Sequence, residues 1–472
     1  MKYSPSIALI FGALLCFLTS CSNRDYVASI PADTPLVIAI DFGKANGVDN
    51  KALLKTLLHV GKVDECGLDF SEKAYLYLTP DGTLGLCLRV LSKSDLTSFF
   101  ARMASAGQCS PTVSRRGFDF TVVDERWVAA FSDEALLMQG PVAPMSQVAC
   151  QQQMTDYLSQ DAAESFLSTK LFAKLDSIDA PMAMVAQVQA LPEMLSAPLM
   201  LGAPKGATAD QVLLASAMRV EGKTLFVEGN TFSFNPRIDA AITSNLQSLR
   251  PIGNTFLRRV PRGAGATFFY NVNGNQFLPL VQTCQSSQTL LAGINSAIDI
   301  DNIIRSIDGD LCLSFGTVAG SQHLAMGAVL GHSRWLADVD YWKTSCPSGS
   351  HIDDWTTNGF VFRDGTKAYY FGVSPDGLYY SGGSADEARA FLSDCDVALP
   401  SAVADVIKNS RMAVVVTEGL PGTTAPLQLP PGGEGHGSGN YPLPSKFPSQ
   451  GEGQGGAFFF IDIDTIVYYN KL

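Results

Sequence analysis

Histidine is scarce in this chain. Its five residues, at positions 59, 323, 332, 351 and 436 of 472, never gather at metal-ligand or catalytic-triad spacing. No Cys-x-x-Cys pair accompanies them, which argues against a zinc centre. Charge is sparse as well. Charged residues make up 17% of the chain, and 33 Lys and Arg against 45 Asp and Glu leave a net charge of −12. An acidic chain without a Lys/Arg cluster is a poor partner for phosphate backbones, so nucleic acid is not expected. No motif calls for a cofactor. Beyond the first twenty residues no apolar run approaches the roughly 20 residues that a membrane-spanning helix needs.

What the chain does have is core-forming material: 46% hydrophobic residues and 42 glycines, an ordinary globular composition. At about 150 residues per domain, the length suggests about three domains. The first residues, MKYSPSIALIFGALLCFLTSCSNRD, place Lys2 before an apolar run from Ile7 to Leu18. That run is too short to span a bilayer and fits the apolar region of an export signal. Its end, Leu18-Thr19-Ser20-Cys21, resembles the bacterial lipobox. The resemblance implies cleavage before Cys21 and acylation of its thiol and amine, with residues 1–20 as signal and 21–29 as tether. A plain secretory signal with an incidental cysteine is the alternative. The residues after Cys21 (Ser22, Asn23, Arg24, Asp25) form no acidic run. The expected location is therefore the outer membrane, lipid-anchored and facing the periplasm, with display outside the cell as the other possibility.

Setting aside Cys16 and Cys21 leaves eight cysteines: 66, 87, 109, 150, 284, 312, 346 and 395. An even count in an exported chain is compatible with disulfides. Cys109 and Cys150 flank the stretch Gly117–Gly140 much as Cys346 and Cys395 flank Gly359–Gly382, which suggests equivalent bridges, Cys109–Cys150 and Cys346–Cys395. Cys87 and Cys312 lie in apolar runs, either as buried thiols or paired with Cys66 and Cys284.

Those flanked stretches, GFDFTVVDERWVAAFSDEALLMQG and GFVFRDGTKAYYFGVSPDGLYYSG, align without a gap and share Gly, Phe, Phe, Ser, Leu and Gly. Around each, the same order recurs. A hydrophobic-Pro start (IPADTPLVIAID, VPRGAGATFFYNV) leads into helical patterning and paired strands (KAYLYL and LGLCLRVL; GDLCLSFGT and HLAMGAVLG). A helix (SKSDLTSFFARMA, SRWLADVDYWK) and three short strands follow. Thr79-Pro80-Asp81-Gly82 and Glu221-Gly222-Lys223 read as hairpin turns. Ser384-Ala385-Asp386-Glu387 has the capping-box form. The expected class is α+β: two related halves, 30–250 and 251–472, of antiparallel or mixed sheet with helices on one face. Alternation at Ile461-Asp462-Ile463-Asp464 suggests a closing strand with one buried and one wetter face. Residues 421–456, rich in Pro and Gly, read as a flexible loop.

The chemically suggestive motifs weaken on inspection. Gly331-His332-Ser333-Arg334-Trp335 lacks the final glycine of a nucleophile elbow. Ser333, like Ser92, reads as a helix cap. Ser168-Thr169-Lys170 lacks Ser-x-x-Lys spacing. Gly263–Phe268 precedes a strand and is no phosphate loop. His351-Ile352-Asp353-Asp354 is a solvated cluster or a weak cation site. Adjacent aromatics remain, at Phe268-Phe269-Tyr270, Tyr369-Tyr370-Phe371 and Tyr379-Tyr380. One strand face can be core while the other offers rings to sugars or peptides.

The lipobox, the IPADTPLVIAID opening and the GF-x-F hairpins together resemble an uncharacterised family of Bacteroidetes envelope lipoproteins. The resemblance implies an envelope lipoprotein and transfers no catalytic residue. The expected function is non-enzymatic binding or scaffolding, with the membrane reached through Cys21 and an envelope protein or glycan as partner. The alternatives are a glycan- or peptide-directed hydrolase and a structural subunit of a membrane assembly.

Overall fold

A computed structural model describes residues 25–44, 55, 58, 63, 65–261, 264–283, 298–318, 321–365, 367–394, 399–417 and 465–470. Signal, lipobox, Cys284, Cys395 and the 421–456 loop lie outside the described residues. The strands, in chain order, begin with β1 (Leu36–Ile40), β2 (Ala74–Leu78), β3 (Leu84–Arg89), β4 (Val113–Arg115), β5 (Phe118–Val123), β6 (Trp127–Phe131), β7 (Ala135–Gly140), β8 (Met182–Gln187), β9 (Leu213–Glu221) and β10 (Thr224–Phe232). They continue with β11 (Ala264–Asn273), β12 (Ile307–Val318), β13 (Ser321–Leu330), β14 (Ser350–Thr356), β15 (Gly359–Asp364), β16 (Lys367–Val373), β17 (Leu378–Gly382), β18 (Met412–Val416) and β19 (Thr465–Asn470).

Among the described residues these 19 strands belong to one mixed sheet. This corrects the expected pair of halves, each with a sheet of its own, while the class stays α+β. The reason is β19. The sequence pattern gives it to the second half, yet it pairs antiparallel with β18 and parallel with β10, so it closes no separate sheet. The alternating stretch Ile461–Asp464 lies outside the described residues; within β19 Thr465 is half-buried and Ile466 to Asn470 are buried.

By contact the chain divides into two compact units, residues 1–34 with 54–173, and 35–53 with 174–472. In the first, β2 and β3 form a hairpin through the expected turn, where Gly82 N donates to Thr79 O at 2.8 Å and Gly82 takes φ +84°. β7 pairs with β3 and β6, β6 with β5, and β5 with β4. The helix Lys93–Ser105 buries Leu96, Phe99, Phe100 and Met103, one face at helical spacing. Phe100 stacks on Phe131 with ring centroids 5.5 Å apart. Each such side chain contributes about 1.5–3 kcal/mol on burial.

In the second unit the registers give a continuous ladder, β1-β8-β9-β10-β19-β18-β11-β12-β13-β17-β16-β15-β14. Phe226, Phe256, Phe269, Tyr380, Phe391 and Tyr469 anchor a core packed on it. Buried Asp310 ties a loop to that core. Its carboxylate accepts from Gly253 N (2.7 Å), Thr255 N (3.2 Å) and Asn271 Nδ2 (2.8 Å).

The two 24-residue stretches both fold as three antiparallel strands, β5–β7 and β15–β17. A fourth strand adds to the last of each, β3 to β7 and β13 to β17. Their matched serines act alike: Ser132 Oγ accepts from Ala135 N at 3.1 Å, and Ser374 Oγ from Leu378 N at 3.0 Å. Their matched first glycines do not. Arg116 and Asn358 hold matched positive φ (+52° and +56°), but Gly117 continues the turn at φ +88° whereas Gly359 is the buried start of β15.

Candidate binding cleft

A cleft of about 410 Å³ opens in the first unit between Val63 with residues 65–70 and the start of the helix Lys93–Ser105. It is built by a short segment laid along the end of β3. Leu68 bridges Val90, and Asp69 N donates to Arg89 O at 3.0 Å. The Gly67 carbonyl accepts from both Leu91 N (2.9 Å) and Ser92 N (3.0 Å). Gly67 must be glycine. Its φ is +73°, and a Cβ there would meet the Ser92 carbonyl and sit 2.6 Å from Leu96 N.

Val63, Cys66 and Leu68 are buried and give the cleft an apolar floor, while Leu91, 70% exposed, stands at the rim. The polar lining is largely employed in the fold. Ser92 Oγ caps the helix by accepting from Asp95 N at 3.3 Å. Arg102 Nη2 donates to the Glu65 carbonyl at 3.1 Å. The carboxylates of Glu65 and Asp95 face solvent. A volume of this size suits a small ligand or one protruding side chain or sugar of a larger one.

The residues singled out by sequence go elsewhere. Cys109 and Cys150 are not bridged: both are free thiols with different partners. Cys109 Sγ donates to Phe100 O at 3.4 Å, and Cys150 Sγ to Gln139 Oε1 at 3.3 Å beside Met154 Sδ at 3.8 Å. Cys346 is a free thiol donating to Trp342 O at 3.3 Å, and its expected partner Cys395 lies outside the described residues. Cys87 and Cys312 are fully buried thiols, one of the two expected alternatives. Burial pushes both thiols up, and pushes Cys150, with Asp81 nearby, up to about 12. Lipidation at Cys21 falls outside the described residues.

The His351–Asp354 cluster lies on β14 with its carboxylates already matched. Asp353 Oδ2 is 3.3 Å from His351 Nε2 and 3.8 Å from Arg363 Nε, and Asp354 receives Lys343 Nζ at 2.7 Å. Among the described residues no three His, Cys, Asp or Glu gather as a metal site. Ser92 is the expected cap, but Ser333 makes no capping bond at the 3-10 turn Arg334–Asp338. Ser168 Oγ donates to Ser165 O at 2.9 Å. Ser384 Oγ accepts from Glu387 N, and Glu387 returns a bond to Gly383 N, one residue before the expected box.

The aromatic runs are mostly interior. Phe268, Phe269, Tyr270, Phe371, Tyr379 and Tyr380 are all buried, so these strands have core on both faces. Tyr370 is half-buried, with Trp355 at 4.9 Å, and the Arg389 guanidinium lies 4.9 Å from the Trp355 ring centroid. The cleft itself was not among the sequence candidates. Its one signal was the isolated Gly67.

Residues 32–386 match a family model described as a domain of unknown function, DUF4836. No curated protein matches the chain. The solved crystal form I of TP0453 is similar at 7% identity over 72% of this chain and 91% of that one. The TM-score of that match is 0.24.

Proposed function

The chain belongs to the DUF4836 family, and from that premise we propose that it is a lipid-anchored lipoprotein of the cell envelope whose folded body binds or scaffolds a partner without converting it. The anchor rests on Lys2, the apolar run and Leu18-Thr19-Ser20-Cys21. Several acyl chains on one residue hold a protein to a membrane stably, where one chain binds marginally. The outer membrane, with the body in the periplasm, fits the lack of an acidic run after Cys21.

The observation that carries the binding half is the use made of the cleft's polar groups. Ser92 and Arg102 are occupied in capping and in holding the Glu65 carbonyl, so the recess offers shape and an apolar floor more than convergent catalytic groups. An apolar floor with a polar rim suits a peptide side chain or the apolar face of a sugar.

Two measurements test this. Fatty-acid labelling should mark the wild-type chain at Cys21 and not Cys21→Ala; a Cys21→Ala chain that still fractionates as an integral membrane species sinks the anchor. Incubation with envelope glycan fragments and peptides should give retention and a raised melting temperature with intact ligand recovered. Cleavage that disappears in Glu65→Gln or Asp95→Asn would replace binding with hydrolysis.

A further inference from the structure

The 3-10 turn Asp25–Ser29 is the first described element, and it is fastened to the first unit from several sides. Val27 and Ile30 are fully buried. The Tyr26 hydroxyl donates to Lys73 O at 2.8 Å, and its ring meets Tyr75 at 5.9 Å. The Tyr26 carbonyl accepts from Cys87 Sγ at 3.3 Å. Gln160 Nε2 donates to Ala28 O at 2.6 Å and to Ile30 O at 3.0 Å. Phe166 N donates to Ile30 O at 2.9 Å. Asp25 to Ile30 is therefore firmly held to the first unit.

Only Ser22, Asn23 and Arg24 separate Asp25 from Cys21. A chain spans at most about 3.3–3.6 Å per residue, so four steps reach about 14 Å whatever their conformation. That is shorter than the radius of a folded unit of this size: a domain of about 150 residues has a radius of gyration of about 15 Å, and a compact sphere's radius is about 1.3 times that, about 19 Å.

We propose that the face of the first unit around this turn, with exposed Asp25 and Ser71 and half-buried Lys73, docks on the lipid surface itself. The inference rests on acylation of Cys21, the anchor reading above. An acylated Cys21 sits at the interface, and the tether is too short to let the body stand off or turn over. The occupant is a lipid headgroup layer because the tether's length commits this face to it. Net attraction is not required, and with a chain charge of −12 it is not expected.

The test uses the full acylated chain in phosphatidylcholine vesicles containing nitroxide-headgroup lipid, with a fluorescent non-canonical residue replacing Ser71. Two tethers are compared: the native one, and one lengthened by twenty Gly/Ser residues between Arg24 and Asp25. Quenching is expected to be strong with the native tether and to fall at least threefold with the long one. Equal quenching with both tethers, on chains shown by mass to be acylated, overturns the docking proposal and leaves the anchor intact. An unacylated Cys21 overturns both.

Discussion

Arg219 and Tyr469, 250 residues apart in the chain, meet within one sheet: Arg219 Nη1 donates to the Tyr469 hydroxyl at 2.7 Å. That hydroxyl in turn donates to Glu228 Oε2 at 2.8 Å, and the guanidinium lies 4.4 Å from the Phe226 ring centroid. The three side chains stitch β9, β10 and β19 on one face. Tyr469→Phe keeps the ring and removes the middle of the relay, taking one hydrogen bond each from Glu228 and from Arg219, which keeps its Glu221 contact at 2.7 Å. The expected loss is about 1–3 kcal/mol in urea unfolding. A midpoint within error of wild type would show the relay to be idle.

Gly67→Ala should destabilise more than Gly82→Ala. Both glycines have positive φ, which costs an alanine about 1–2 kcal/mol. Only at Gly67 does the new Cβ also meet backbone, at Leu96 N and the Ser92 carbonyl, while nothing lies near Gly82. Paired thermal melts read the difference directly, and equal shifts would contradict the close approach that shapes the cleft.

Asp310→Ala strips the acceptor from Gly253 N, Thr255 N and Asn271 Nδ2 at once. The expected loss is about 3 kcal/mol, with Asp310→Asn milder because its oxygen can still accept. Amide exchange at Gly253 and Thr255 should quicken in both variants, more in the alanine one.

Alkaline pH should unfold the protein early. Burial, followed by the nearby Asp81 charge, pushes the Cys150 thiol from an ordinary 9.0 and the Tyr157 hydroxyl from an ordinary 10.0 up to about 12. Above the ordinary values the unfolded chain sheds protons that the folded chain still holds, so stability falls as pH rises from about 9 towards 12. Urea midpoints should be level near pH 7–8 and drop by about pH 10.5. Cys150→Ala should drop less steeply. A midpoint flat to that pH counts against this burial.

Thiol chemistry should sort by depth. Iodoacetamide near about pH 8 should modify the partly exposed Cys109 and Cys346 first. Cys87 and Cys312 should react only on unfolding, since burial raises both and neither is exposed. A non-reducing mass map showing a Cys109–Cys150 bridge would contradict their separate hydrogen bonds.

Local chemistry was legible in the sequence. Ser132 and Ser374 sit at matched places and each closes a turn, accepting from the backbone N–H three and four residues on respectively, and Ser92 caps its helix. Such features depend on three or four neighbouring residues. What was not legible depends on distant pairing. Nothing in the apolar run of β19 says that it will lie parallel to β10, and a parallel neighbour leaves no turn signal. The same holds for the cleft, where Gly67 faces a helix start 25 positions later and only its positive φ hints at crowding. Flanking positions misled for Cys109 and Cys150, because symmetry along the chain does not aim two sulfurs at each other.

The placement of β19 also sets a timetable. It lies between β10 and β18, so both keep an open edge until residues 465–470 arrive, and the Glu228–Tyr469 bond must close a loop of 241 residues. During synthesis from the N-terminus the sheet therefore stays incomplete until β19 has been made. Lateness of this kind leaves two unsatisfied strand edges open to mispairing in the meantime.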